Sequence, residues 1–161
     1  MVKVLIKKLL PEVELPSYKT LGASGMDLMA FIKSSIILKP KTSTLVPTGL
    51  TMAFSEDYEV QIRPRSGLAA KNNISILNTP GTIDSDYRGE IKVIIYNHGD
   101  KDFVINNKDR IAQMILTPVI KMEFEETNDL PKTVRGEGGF GSTGKWATSL
   151  IKKKLNSFQD K

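Results

Sequence analysis

Nowhere in this chain does an apolar pattern run long, because proline, glycine or asparagine cuts it every few residues. Such a chain cannot build long helices and favours many short strands joined by turns. Val60 and Ile62 alternate with Glu59, Gln61 and Arg63, the period of a strand buried on one face. Residues 2–9, 35–38, 44–47, 51–54, 103–105, 111–120 and 121–126 read as further strands, and 22–30 leads into another. Turn signals separate them at Lys39-Pro40-Lys41, Pro47-Thr48-Gly49 and Asn106-Asn107. One stretch breaks the period. Ser66 suits an N-cap, Ala69 and Ala70 favour helix, and Asn72-Asn73 can end it. The expectation is an all-β sandwich or barrel with one short helix.

Residues 74–97 concentrate the chemistry. Ile74 and Ile76 alternate with polar neighbours, Pro80-Gly81 marks a turn, and 91–96 is a β-branched run closed by Asn97-His98-Gly99. This reads as a hairpin. Between its arms stand Asp84, Asp86, Tyr87 and Arg88, a mixture that a purely structural loop does not need. Asp84 fits a turn residue bonding its own backbone, or a carboxylate that takes a proton from water. Tyr87 fits an edge-packed aromatic, or a flat floor for a sugar ring. Asn78 fits a strand-end turn, or an amide that reads the edge of a base. Arg65, Ser66 and Gly67 fit a capped helix, or an anion site at its start. Gln113 fits a satisfied core amide. Asp27, after Gly25, fits a turn.

Composition narrows the class. With 161 residues the chain is most simply one domain with a real core. It has no cysteine, so neither a disulfide framework nor a thiolate metal site is available, which fits a reducing compartment. Its one histidine, His98, sits in a turn and reads as a surface residue. Lysines interrupt the first apolar run too early for a signal peptide, and no run approaches the ~18 residues of a membrane span. The expected location is the cytoplasm, with no membrane partner. The net charge of +5 invites a nucleic-acid reading, but residues 145–161 hold five lysines and one aspartate. The remaining body holds 18 basic and 17 acidic residues, too balanced to neutralise a phosphate backbone, so no nucleic acid is expected.

Five segments, in order, resemble the five motifs of the trimeric deoxyuridine triphosphatases, or dUTPases. They are Ala23-Ser24-Gly25-Met26-Asp27; Pro64-Arg65-Ser66-Gly67-Leu68-Ala69; Gly81-Thr82-Ile83-Asp84-Ser85-Asp86-Tyr87-Arg88-Gly89-Glu90; Asp109-Arg110-Ile111-Ala112-Gln113; and residues 135–144, from Arg135 to Gly144. One such motif is weak evidence; five in order across residues 4–144 are specific. One departure stands out: Lys108 occupies a position where the fourth motif usually has glycine.

The resemblance implies a jelly roll over residues 1–134 and a C-terminal arm at 135–144; the arm's glycines and low apolar content predict mobility, and 145–161, beyond the resemblance, is a basic tail of unknown role. It implies hydrolysis of dUTP to dUMP and pyrophosphate by water attack at the α-phosphate, which keeps uracil out of DNA and supplies dUMP for thymidylate synthesis. Asp84 would activate the water. Gln113 and Asp27 would position water and phosphates, while Arg65, Ser66, Gly67 and Arg135 would bind the phosphate chain. Asn78, Gly81, Thr82, Ile83, Tyr87 and Phe140 would hold uracil and deoxyribose. Asp86 is assigned to loop structure or a salt bridge. Mg²⁺ would be held through the substrate phosphates, with no metal ligand from the chain. The implied assembly is a homotrimer with its sites at subunit interfaces, one subunit's arm closing another's site. A dCTP deaminase on the same fold, or a nucleotide-binding regulator without catalysis, is the alternative.

The arm also matches G-x-G-x-x-G at residues 139–144 and nearly matches a P-loop, with Trp146 at the hydroxyl position. Both motifs need a buried strand before the loop and a helix opening at it. Residues 130–135 make a poor strand, so both are rejected. In the tail, Ala147, Ile151, Leu155 and Phe158 fall at helical spacing beside three lysines, and no function is assigned to them.

Overall fold

Eleven short strands and one helix succeed one another through residues 1–139, the part of the chain that the computed structural model describes. They are β1 (Leu5–Lys8), β2 (Met26–Met29), β3 (Ile36–Leu38), β4 (Ser43–Pro47), β5 (Leu50–Ala53) and β6 (Tyr58–Arg63). After α1 (Ser66–Asn72) come β7 (Ile74–Ile76), β8 (Gly81–Ile83), β9 (Lys92–Asn97), β10 (Phe103–Ile105) and β11 (Arg110–Pro118). All belong to a unit spanning Met1–Lys121; a second unit starts at Met122. No helix among the described residues is long and apolar enough to cross a membrane.

Every strand pairing is antiparallel. One sheet runs β2-β11-β6-β8 and another β4-β9-β7, with β1-β5 and β10-β3 as two-stranded pieces. This is the jelly-roll class, where two sheets close over one core. Alternation selects the buried face. Val60 and Ile62 of β6, Ile74 and Ile76 of β7, and Val93 and Ile95 of β9 join Leu28, Ile111 and Met114 in a single cluster. Burying each of these large aliphatic side chains contributes about 1.5–3 kcal/mol. Asn97 is buried among them and fully used: its Nδ2 donates to the carbonyls of Leu38 (3.0 Å) and Lys101 (2.8 Å), and its Oδ1 accepts from the Gly99 N–H (2.8 Å).

Four expectations need correction. β7 and β9 do pair, with Ile76 opposite Ile95, but the chain between them does not simply turn back. Gly81–Ile83 forms β8 and pairs with β6, in the other sheet, so the loop carrying Asp84 bridges two sheets. The helix starts at Ser66, but its N-cap is Arg65 (φ −87°, ψ 128°) with no side-chain cap bond, so Ser66 is the first helical residue instead of the cap. The first strand is limited to Leu5–Lys8 and the long one to Arg110–Pro118. Residues 121–126 form no strand, since alternation alone does not stabilise a strand that pairs with nothing.

Candidate active site

Asp27 anchors one half of the candidate site. It lies on β2 opposite Gln113 of the central strand β11, and Gln113 lies opposite Arg63 on the other side. The register therefore delivers the end of β6, and Arg65 just beyond it, to the carboxylate. Arg65 Nε donates to Asp27 Oδ1 at 2.8 Å, and Arg110 Nη1 donates to Oδ2 at 3.2 Å. Arg65 Nη1 also donates to the Arg110 carbonyl at 3.1 Å, so both guanidiniums are locked around one acid. Gln113 Nε2 donates to the Pro64 carbonyl at 3.0 Å. Gly25 makes room for this packing: a Cβ there would stand 3.0 Å from Gln113 Oε1 and 3.2 Å from the Met114 carbonyl. Ser66 and Gly67 are exposed at the helix start beside this cluster.

Asp84 belongs to the other half. It borders a groove of about 420 Å³ whose lining includes Asn78, Thr82, Ile83 and Tyr87, floored by Leu45 and Ile94 of the outer sheet face. Gly81, buried at the start of β8, packs against Asn78, a Cβ there standing 3.0 Å from Asn78 Nδ2. Tyr87 is 45% exposed and presents its ring to the groove, with its hydroxyl donating to the Glu90 carbonyl at 3.1 Å. Gly89 lies against the hydroxyl end of that ring, for a Cβ there would fall 2.3 Å from the Tyr87 hydroxyl oxygen. Asp84 also borders a second, more acidic hollow with Glu56, Glu59 and Asp86. Asp86 has no ion-pair partner among the described residues, and Arg88 instead donates to the carbonyls of Ser85 and Tyr87.

Among the described residues, neither hollow bordered by Asp84 is lined by Asp27, Arg65, Arg110 or Gln113. Gln113 stands opposite Arg63, and Ile83 opposite Val60, on opposite flanks of β6. Three residues of rise and two strand spacings separate them by roughly 14 Å. Arg135 lies in the second unit, where its Nε donates to the Gly138 carbonyl at 2.6 Å. Phe140 and the rest of the arm and tail lie outside the described residues. His98 is exposed, with its Nε2 2.7 Å from Ser75 Oγ, and does not line the groove. No group of three or more His, Cys, Asp or Glu side chains converges among the described residues, and both Asp27 oxygens are engaged by arginines. Oxygen donors of this kind are compatible with a hard cation carried on phosphate oxygens.

The dUTPase family model matches residues 11–144. The chain belongs to the dUTPase family. A deoxyuridine 5'-triphosphate nucleotidohydrolase of Fusobacterium nucleatum subsp. nucleatum is 53% identical over 146 residues, covering 90% of this chain and all of that protein. One from Brucella melitensis biotype 2 is 57% identical over 134 residues, covering 82% and 85%. The fold is also that of a Staphylococcus bacteriophage 80alpha dUTPase solved with dUPNHPP (TM-score 0.80, 22% identity, 88% and 98% covered). A variant dUTPase of phage phi11, studied for coordination of a structural Mg(II) ion, aligns with TM-score 0.73 at 18% identity, covering 81% and 99%.

Within this dUTPase-family chain, motifs one, two and four meet at Asp27, while motif three builds the groove. Arg110 is the residue that the sequence reading did not single out. Its signal was the Asp-Arg pair of motif four, but only the structure shows that Arg110, opposite Met29 in the register, reaches diagonally along β2 to the Asp27 carboxylate.

Proposed function

We propose that this chain is a dUTP diphosphatase that cleaves dUTP to dUMP and pyrophosphate. The observation that carries this reading is the groove that gathers Asn78, Thr82, Ile83 and Tyr87 around Asp84. The amide of Asn78 and the β8 backbone around Gly81 would pair with the uracil edge, so that cytosine leaves buried polar groups unpaired. The Tyr87 ring would lie under the deoxyribose and leave no room for a 2′-hydroxyl. Asp84 would accept a proton from the water that attacks the α-phosphorus. The new P–O bond forms as the bond to the bridging oxygen breaks, and pyrophosphate leaves.

Arg65, held by Asp27, with Ser66 and Gly67 beside it, would grip the phosphate chain, and Gln113 would orient water or the α-phosphate. Mg²⁺, carried on the phosphate oxygens, would neutralise charge there. That the hollows at Asp84 hold none of the Asp27 cluster supports a homotrimer in which the Asp27 cluster of one subunit faces the groove of the next. Residues 135–144 would form the closing arm, with Arg135 on the γ-phosphate and Phe140 on the base. Ordering the arm costs conformational entropy that ligand contacts offset. The proposed location is the cytoplasm.

The test is pyrophosphate release from dUTP, UTP, dTTP and dCTP, assayed side by side. Release from dUTP alone is expected. Ammonia release from dCTP would favour a deaminase, and binding without turnover a regulator.

A further inference from the structure

We propose that Lys108, clasped to Glu14, is a positioning residue that aims Arg110 at Asp27 and thereby sets how well the phosphate half holds its substrate. The inference rests on the functional reading above and adds a residue pair to it.

Lys108 adopts a left-handed backbone, φ +68°, which a side chain other than glycine or asparagine rarely accepts. The turn around it is bonded throughout. The Lys108 N–H donates to the Ala30 carbonyl at 2.8 Å, the Ala30 N–H to the Asp109 carbonyl at 2.9 Å, and the Asn106 N–H to Asp109 Oδ2 at 2.7 Å. Directly after the turn, the register against β2 slips between Arg110 and Ala112. Ile111 and Ala112 are consecutively buried, which strict alternation forbids; the bulge lets Arg110, opposite Met29, and Gln113, opposite Asp27, both lie on the Asp27 side of β2. The geometry of Arg110 is therefore fixed by the turn at Lys108.

The side chain of Lys108 meets Glu14, Nζ to Oε1 at 2.6 Å, with both side chains about half exposed. The hydrogen bond and charge of Lys108 hold the Glu14 carboxyl below its ordinary value. Glu14 is a fixed post because its neighbour Val13 is 3% exposed in the core. The segment holding Glu14 runs on through Gly25 to Asp27. The clasp thus ties together the two approaches, one ending in Asp27 and the other in Arg110, that must meet for Arg65 to be held. A glycine at 108 would satisfy the backbone better; what lysine adds is the tie.

The experiment compares the full-length parent with Lys108→Gly, Glu14→Gln and the charge-swapped double variant Glu14→Lys/Lys108→Glu. KM and kcat for dUTP are measured at about 20 mM and about 500 mM salt, with Tm on the same samples. Lys108→Gly and Glu14→Gln are expected to raise KM roughly two- to fivefold at low salt, the range an exposed pair supports, with kcat within about twofold. Tm should hold or rise for Lys108→Gly, whose left-handed strain is relieved. The KM difference should shrink at high salt, and the swapped pair should recover most of the parent KM. An active parent whose KM is unmoved in both single variants, or a swap that recovers nothing, overturns this proposal alone. A parent inert toward dUTP overturns the functional reading and the proposal with it.

Discussion

Replacing Asp27 by asparagine keeps the shape of the side chain and removes its charge. The Arg65–Asp27 pair is only 26% and 19% exposed, and its 2.8 Å contact is charge-assisted. Such a bond is worth about 1.5–3 kcal/mol. The Arg110 contact at 3.2 Å involves a guanidinium that is 53% exposed, so solvent screening limits it to about 0–1 kcal/mol. The expected loss is about 2–4 kcal/mol, because the amide also turns a donor toward one guanidinium. Urea unfolding reads this as a lower midpoint with an unchanged slope. The same variant separates positioning from contact. Since Asp27 acts through Arg65, its effect on kcat/KM should nearly vanish in an Arg65→Ala background. A stability change under about 0.5 kcal/mol, or an undiminished kcat/KM loss in that background, refutes the reasoning.

Gly89→Ala would place a Cβ 2.3 Å from the Tyr87 hydroxyl oxygen and displace the ring from its bond to Glu90. The ratio of kcat/KM for dUTP over UTP should fall about tenfold, the worth of a hydrogen-bonded ring position, and an unchanged ratio would remove Tyr87 as the sugar gauge. Gly25→Ala presses on Gln113 Oε1 and the Met114 backbone; kcat/KM should drop about tenfold with a lower Tm, since a crowded core costs about 1–3 kcal/mol. Asn97→Leu strands the Leu38 and Lys101 carbonyls and the Gly99 N–H, and a urea series should show at least about 3 kcal/mol lost, at about 1 kcal/mol or more per orphaned group.

Much of the fold was legible because alternation maps directly onto burial. The strands at Tyr58–Arg63 and Phe103–Ile105 appear at the expected bounds, and Asn73 (φ +56°) ends the helix near where the asparagine pair predicts. What alternation cannot supply is partner choice. Gly81–Ile83 read as the far side of a turn, yet it crosses to β6, because pairing depends on a strand 20 residues away in sequence. The residues at 121–126 alternate as a strand should, yet pair with none. The site was legible in the same uneven way. Asp84, Tyr87 and Asn78 share one groove because they are near in sequence. The Asp27–Arg65–Arg110 cluster joins three distant segments, so its internal pairing emerges only with the sheet register. In the sequence Lys108 stood out only as a departure from the glycine usual in the fourth motif. Its left-handed backbone explains why glycine suits the position, and its ion pair with Glu14 shows what lysine contributes.

The most direct test of proton abstraction by Asp84 is single-turnover hydrolysis of dUTP by Asp84→Asn, with the affinity for a non-cleavable dUTP analogue measured on the same preparation. Affinity within about threefold of the parent and a rate lower by at least ~10², the range expected on losing a general base, is the predicted result. An asparagine variant that binds the analogue normally and still turns over dUTP within about tenfold of the parent contradicts it.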